Sequence, residues 1–138
     1  MVHNRDVHLI AELEADPAEV PRARRLLGER LRAWRVDEDS ADTVLLLFSE
    51  LVTNAVRHGD PPVQVHAGVD DGVFRVEVDD GSEVPVAPQE PDVDDLGGRG
   101  LQLVEMLSTA WGSRRSTARP AGRRPGKCVW FELALVAS

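Results

Sequence analysis

Hydrophobic residues recur along this chain with two periods, and the switches between them lay out the elements. Residues 7–13 alternate well enough to predict a first strand. Asp16-Pro17-Ala18-Glu19 reads as a helix start, with Asp16 capping, Pro17 in the first helical position and Glu19 reaching back to the cap. Val20, Ala23, Leu27, Leu31 and Trp34 then follow at helical spacing, so a helix is predicted over 17–34. Its Arg22, Arg24, Arg25, Arg30 and Arg32 lie largely on other faces. Residues 36–39 form a short acidic link, and a second helix is predicted from about Ser40 to His58. Gly59-Asp60-Pro61-Pro62 breaks it. Val63, Val65, Ala67 and Val69 alternate, Asp70-Asp71-Gly72 signals a hairpin, and Phe74, Val76 and Val78 alternate again. This predicts an antiparallel pair with one buried face. From Gly81 to Gly98 the pattern fails among Pro85, Pro88, Pro91 and several acids, and a structureless loop of that length in a small domain is usually functional. Gly97-Gly98-Arg99-Gly100 opens a third helix. A last hairpin is predicted, with 109–115 as one arm and 128–135 as the return strand. The order implies an α+β two-layer sandwich: a mixed, mostly antiparallel sheet with helices on one face, in a single domain over 1–138.

Composition narrows the function classes. The 138 residues suffice for a full core, and the net charge of −8 argues against direct nucleic-acid binding. The charge is uneven: residues 70–95 hold ten acids against Arg75 alone, whereas 111–127 hold five arginines and Lys127 with no acid. This basic segment, with the loop 113–127 at its centre, could bind an acidic partner or polyphosphate, or is a solvated loop. A lone Cys128 excludes a disulfide framework and fits a reducing compartment. No apolar run reaches membrane-spanning length and the N-terminus is no signal peptide, so a cytoplasmic protein with no membrane contact is expected.

The second helix carries the first candidate chemistry. Glu50, Asn54 and His58 are four residues apart and stack in one row. Leu47, Phe48, Leu51, Val52, Ala55 and Val56 cover most of the remaining surface, so the row is expected to face an enclosed site. A carboxylate, a carboxamide and an imidazole in line suit water activation and divalent-metal binding. The plainer alternative is a polar edge on a core helix, with His58 favoured by the helix dipole. Three other stretches stand beside this row. In Asp79-Asp80-Gly81-Ser82, a strand-end carboxylate could accept a proton from an exocyclic amine such as adenine's. An Asp-x-Gly reading points to Asp79, while alternation puts Asp80 on the face of Val76 and Val78, and Asp80 is the candidate. Gly97, Gly98 and Gly100 at a helix start let backbone N–H groups approach phosphates, and Arg99 could add a charge-assisted contact. Gly126-Lys127-Cys128 enters the last strand, where small Cys128 could line the floor of a base pocket or be only a buried core residue, and Lys127 reads as an exposed turn cation.

The order of these stretches resembles the N, G1, G2 and G3 boxes of the GHKL ATPases, which include gyrase, the histidine kinases and the mismatch-repair ATPases. Glu-Leu-Val-Thr-Asn-Ala-Val-Arg-His-Gly at 50–59 and Gly-Gly-Arg-Gly-Leu at 97–101 look most like the bacterial anti-sigma factor serine kinases. The resemblance runs from about Leu9 to Leu135. It implies ATP or ADP with Mg²⁺ as cofactors and a protein-serine kinase activity. Glu50 matches the general base, and Asn54 the residue that holds Mg²⁺. Asp80 matches the adenine-reading carboxylate, with Ser82 beside it. Gly97, Gly98, Arg99, Gly100 and Leu101 match the phosphate side of a lid spanning 83–97. Arg57 and His58 match positions near the nucleotide. The implied partners are a sigma factor, which the protein would silence, and a STAS-type anti-anti-sigma protein, which it would phosphorylate on Ser. The first helix would be a homodimer or sigma-binding face. The sequence departs from the pattern in two places: Ser82, Glu83 and Val84 stand where a second glycine would complete Asp-x-Gly-x-Gly, and Cys128 stands where relatives often have Thr. A catalytically silent ATP-binding switch is the alternative reading. A sensor histidine kinase is disfavoured, since the chain has no room for a dimerisation helix pair.

Overall fold

The computed structural model describes residues 7–58, 60–81, 96–116 and 126–135, with backbone alone at residue 58 and at 96–100. Their order is β1 (His8–Leu13), α1 (Glu19–Ala33), α2 (Glu38–His58), β2 (Val63–Asp70), β3 (Val73–Asp80), α3 (Leu96–Leu107), β4 (Ala110–Ser116) and β5 (Gly126–Ala134). The strands form one sheet in the order β1-β2-β3-β5-β4, and every described pair is antiparallel.

Local chemistry explains where the helices begin. The turn at Asp16 precedes α1 instead of opening it. Asp16 Oδ1 accepts from the Ala18 N–H at 2.9 Å, and its carbonyl accepts from the Glu19 N–H at 2.8 Å. Glu19 does not return to the cap, because Arg22 Nε donates to its carboxylate at 2.7 Å. The helix therefore starts two residues later than the pattern predicts. In α2 the start moves the other way. Asp37 Oδ2 accepts from the Ser40 N–H at 3.0 Å and its carbonyl from the Ala41 N–H at 2.8 Å, so Asp37 caps a helix that begins at Glu38. That backbone hydrogen bond from Ser40 also lowers the Asp37 carboxyl below its ordinary pKa. Glu38 and Asp39, read from sequence as linker, occupy the first turn, where acids complement the helix dipole. Asp71 and Gly72, at φ 51° and 75°, make the tight β2–β3 turn that Asp-Gly predicts.

The core lies between the sheet and α1, α2 and α3. Leu27 and Leu31 of α1, Leu47, Phe48 and Leu51 of α2, and Val104 of α3 are buried against Val65, Phe74, Val76, Val78, Val129 and Phe131. Trp34 at the end of α1 meets Phe74 with ring centroids 5.7 Å apart, which fixes the even-numbered side of β3 as the helix-facing side.

The opposite side of β3 departs from the expectation of a single buried face. Arg75, Glu77 and Asp79 are also buried, at 7%, 5% and 4% exposure. They form a polar layer with their cross-strand neighbours. Arg75 donates to Glu77 at 2.7 Å and to Glu132 at 3.0 Å, and lies 4.3 Å from the Trp130 ring centroid. Arg114 reaches Glu77 at 3.2 Å, and Ser116 Oγ donates to Asp79 at 2.8 Å. Buried charges are tolerated when paired and hydrogen-bonded in this way, so alternation of apolar residues on one face did not require the other face to be wet.

Candidate nucleotide site

Two members of the polar row, Glu50 and Asn54, lie one turn apart on α2, and the His58 side chain lies outside what the structure describes. Glu50 and Asn54 are half-buried on the last turns of α2, beside buried Leu51 and Ala55. Burial raises the Glu50 carboxyl above its ordinary pKa, the direction that suits a proton acceptor near neutral pH. Arg57 is exposed, and the His58 backbone ends the helix. Among the described residues no cluster of three His, Cys, Asp or Glu side chains could hold a metal. Mg²⁺ is characteristically held by one or two protein oxygens together with phosphates and waters, so Asn54 beside a bound triphosphate fits that ion.

Asp80 ends β3 on the helix-facing side, 1% exposed. The Gly81 N–H donates to the Asp60 carbonyl at 2.8 Å, so the end of β3 is fastened to the chain leaving α2. This tie joins the end of β3 to the segment that follows α2, and Asp80 lies on the helix-facing side of the sheet. Asp79 points to the other side and binds Ser116.

Gly97, Gly98, Arg99 and Gly100 lie inside the first turns of α3, which begins at Leu96, and not ahead of it. Leu101, in the second turn of α3, is buried and belongs to the core cluster. Ser82, the second-glycine departure at 82–84, most of the expected lid at 83–97 and all but the ends of the basic loop lie outside the described residues.

One expectation is corrected by register. Cys128 pairs with Asp79, on the side away from the helices, where its Sγ lies 3.9 Å from Glu77. Burial and the neighbouring carboxylate push its thiol up to about 12. It cannot floor a pocket that Asp80 faces. The residue opposite Asp80 is Lys127, whose Nζ lies 3.3 Å from one carboxylate oxygen and 3.4 Å from the other. Lys127 is therefore a mostly buried strand-end cation and not the exposed turn cation that its sequence context suggests. The signal was present: Val129, Phe131 and Leu133 alternate in phase with Lys127, not with Cys128. Gly126 makes the pairing possible. A Cβ there would stand 1.7 Å from the Asp80 carbonyl oxygen.

The histidine kinase-like ATPase domain model matches residues 13–132, nearly the whole chain. The chain belongs to that family. Membership makes it an ATP-binding domain of the GHKL type and agrees with the five-stranded sheet carrying three helices. Two solved structures are similar. One is the blue-light activated histidine kinase of Erythrobacter litoralis EL346, at 30% identity and TM-score 0.47, covering 70% of this chain and 32% of that one. The other is the histidine kinase domain of the same protein, at 23% identity and TM-score 0.46, covering 86% of this chain and 60% of that one. This chain thus spans about a third of the full kinase. No curated protein matches it. No helix among the described residues is long and apolar enough to cross a membrane.

Proposed function

We propose that this ATP-binding domain is a protein-serine kinase that also serves as an anti-sigma factor in the cytoplasm. The observation that carries the reading is Glu50, half-buried one turn before Asn54 and with its proton affinity raised by burial. In the proposed step Glu50 takes the proton of a serine hydroxyl as that oxygen bonds the γ-phosphorus and ADP departs. Asn54 would hold Mg²⁺, and the backbone amides of 97–100 at the start of α3 would face the phosphates. The serine would belong to a STAS-type anti-anti-sigma protein, whose binding releases the sigma factor. The proposed sigma or homodimer contact is the outer face of α1, where Arg25, Arg30 and Arg32 are exposed and suit an acidic partner. Arg24 is committed within the domain, donating to Ser49 and to the Leu45 carbonyl.

The test is phosphotransfer from labelled ATP to a STAS protein by wild type and Glu50→Ala. The variant should bind ATP as before and lose transfer by about 10²- to 10⁴-fold, the range general-base catalysis supplies. The acid limb of the wild-type rate profile should lie above the pH where an ordinary carboxylate titrates. The base form is lost as pH falls through a pKa that burial has raised. Undiminished transfer by the variant would remove Glu50 from the role.

A further inference from the structure

Lys127 is a charged side chain that the proposed chemistry does not use. It is 13% exposed, and it meets a carboxylate that is 2% exposed. A buried ion pair of this kind adds little net stability over an apolar pair of similar size. Yet the backbone around it is built to keep it. Gly126 admits β5 against the carbonyl of Asp80, and the antiparallel register sets Lys127 directly opposite Asp80, so the two side chains are held side by side. An ionic pair held in place at a ligand site calls for a functional account.

We infer that Lys127 is a base-specificity residue, donating a hydrogen bond to the ring nitrogen N1 of the adenine whose exocyclic amine Asp80 accepts. The assignment rests on the ATP-site reading of Asp80. The Watson–Crick edge of adenine carries a donor, the N6 amine, next to an acceptor, N1. Asp80 offers only acceptors and Lys127 only donors, side by side on one face of adjacent strands. The pair therefore presents the complement of that edge before any base arrives. The Lys127–Asp80 contact keeps both groups desolvated and aimed, which reduces the ordering needed on binding. A site built to donate to a ring nitrogen disfavours an analogue that lacks the acceptor, because an ammonium N–H that Asp80 does not satisfy then faces a C–H.

The test is equilibrium binding of ATP and of 1-deaza-ATP, which replaces N1 by C–H, to wild type and to Lys127→Met. Wild type should bind 1-deaza-ATP about tenfold more weakly than ATP, the usual consequence of losing one hydrogen bond to a charged donor. Lys127→Met should bind ATP with that same loss and treat the two nucleotides alike. The triphosphate of purine riboside, which lacks the amine but keeps N1, should be weakened in both proteins, since it reports Asp80. Equal binding of ATP and 1-deaza-ATP by wild type would overturn the role of Lys127 and leave the ATP site standing. Tighter binding of ATP by Lys127→Met would overturn it too, showing an ammonium that blocks the base. Failure of wild type to bind any of the three would overturn the ATP-site reading as well. The wild-type comparison stands even if the variant does not fold.

Discussion

Replacing Arg75 by Met separates charge from packing in the polar layer behind the sheet. Met keeps an unbranched apolar stem against Trp130 but removes the guanidinium that bonds Glu77 and Glu132. The Arg75 and Glu77 side chains are 9% and 6% exposed, and Glu132 is 13% exposed, so water cannot take over either bond. Glu77 keeps Arg114 at 3.2 Å, but that arginine is 38% exposed and its attraction is screened. Breaking a buried pair by removing one partner costs about 3–5 kcal/mol, and loss of the cation–π contact adds about 0.5–1 kcal/mol. Against a total stability of roughly 5–15 kcal/mol, this is a large share. With an m-value of about 2 kcal/mol/M, the urea midpoint should fall by about 2 M, followed by far-UV circular dichroism. A second variant, Arg75→Met with Glu77→Gln, should recover part of the loss, because one of the stranded charges is gone. A midpoint within about 0.3 M of wild type for Arg75→Met would refute the reasoning, since it would mean the layer is wet or its charges uncoupled.

Two other predictions follow from the same strands. Gly126→Ala forces a methyl to within 1.7 Å of the Asp80 carbonyl, so β5 must shift. Overpacking of this kind costs about 1–3 kcal/mol or more, and ATP affinity measured by calorimetry should fall with it, since Lys127 and Asp80 separate; unchanged affinity and melting temperature would count against the close approach. Cys128, with its thiol pushed up to about 12, should react with iodoacetamide at pH 8 about a thousandfold more slowly folded than unfolded, since thiolate is the reacting form. The sign for stability is the same. The folded pKa lies above the ordinary 9.0, so stability conferred by the neutral thiol is full below pH 9 and is lost as pH rises toward 12. Folded-state alkylation as fast as unfolded would show an accessible thiol.

Period and punctuation in the sequence were enough for the elements. Alternating valines bounded by Asp-Asp-Gly gave β2 and β3 with their turn, and the four-residue spacing of Glu50 and Asn54 gave one helical row whatever the helix packed against. Those features are local: they depend on backbone geometry that a few consecutive residues settle. The helix starts were less legible, because Asp16 and Asp37 compete with their neighbours for the same N–H groups, and which carboxylate wins depends on where Arg22 and Ser40 come to rest.

The tertiary structure alone decided which strand faces which. That Arg75, Glu77 and Asp79 are buried follows from Glu132, Arg114 and Ser116 arriving across two strand pairings, partners 37 to 57 residues away in sequence. The same register sets Lys127, and not Cys128, opposite Asp80. A shift of one residue exchanges the two faces of a strand, and no short stretch of sequence carries that choice. It was made by Val129 and Phe131 entering a core that exists only once the helices have closed over the sheet.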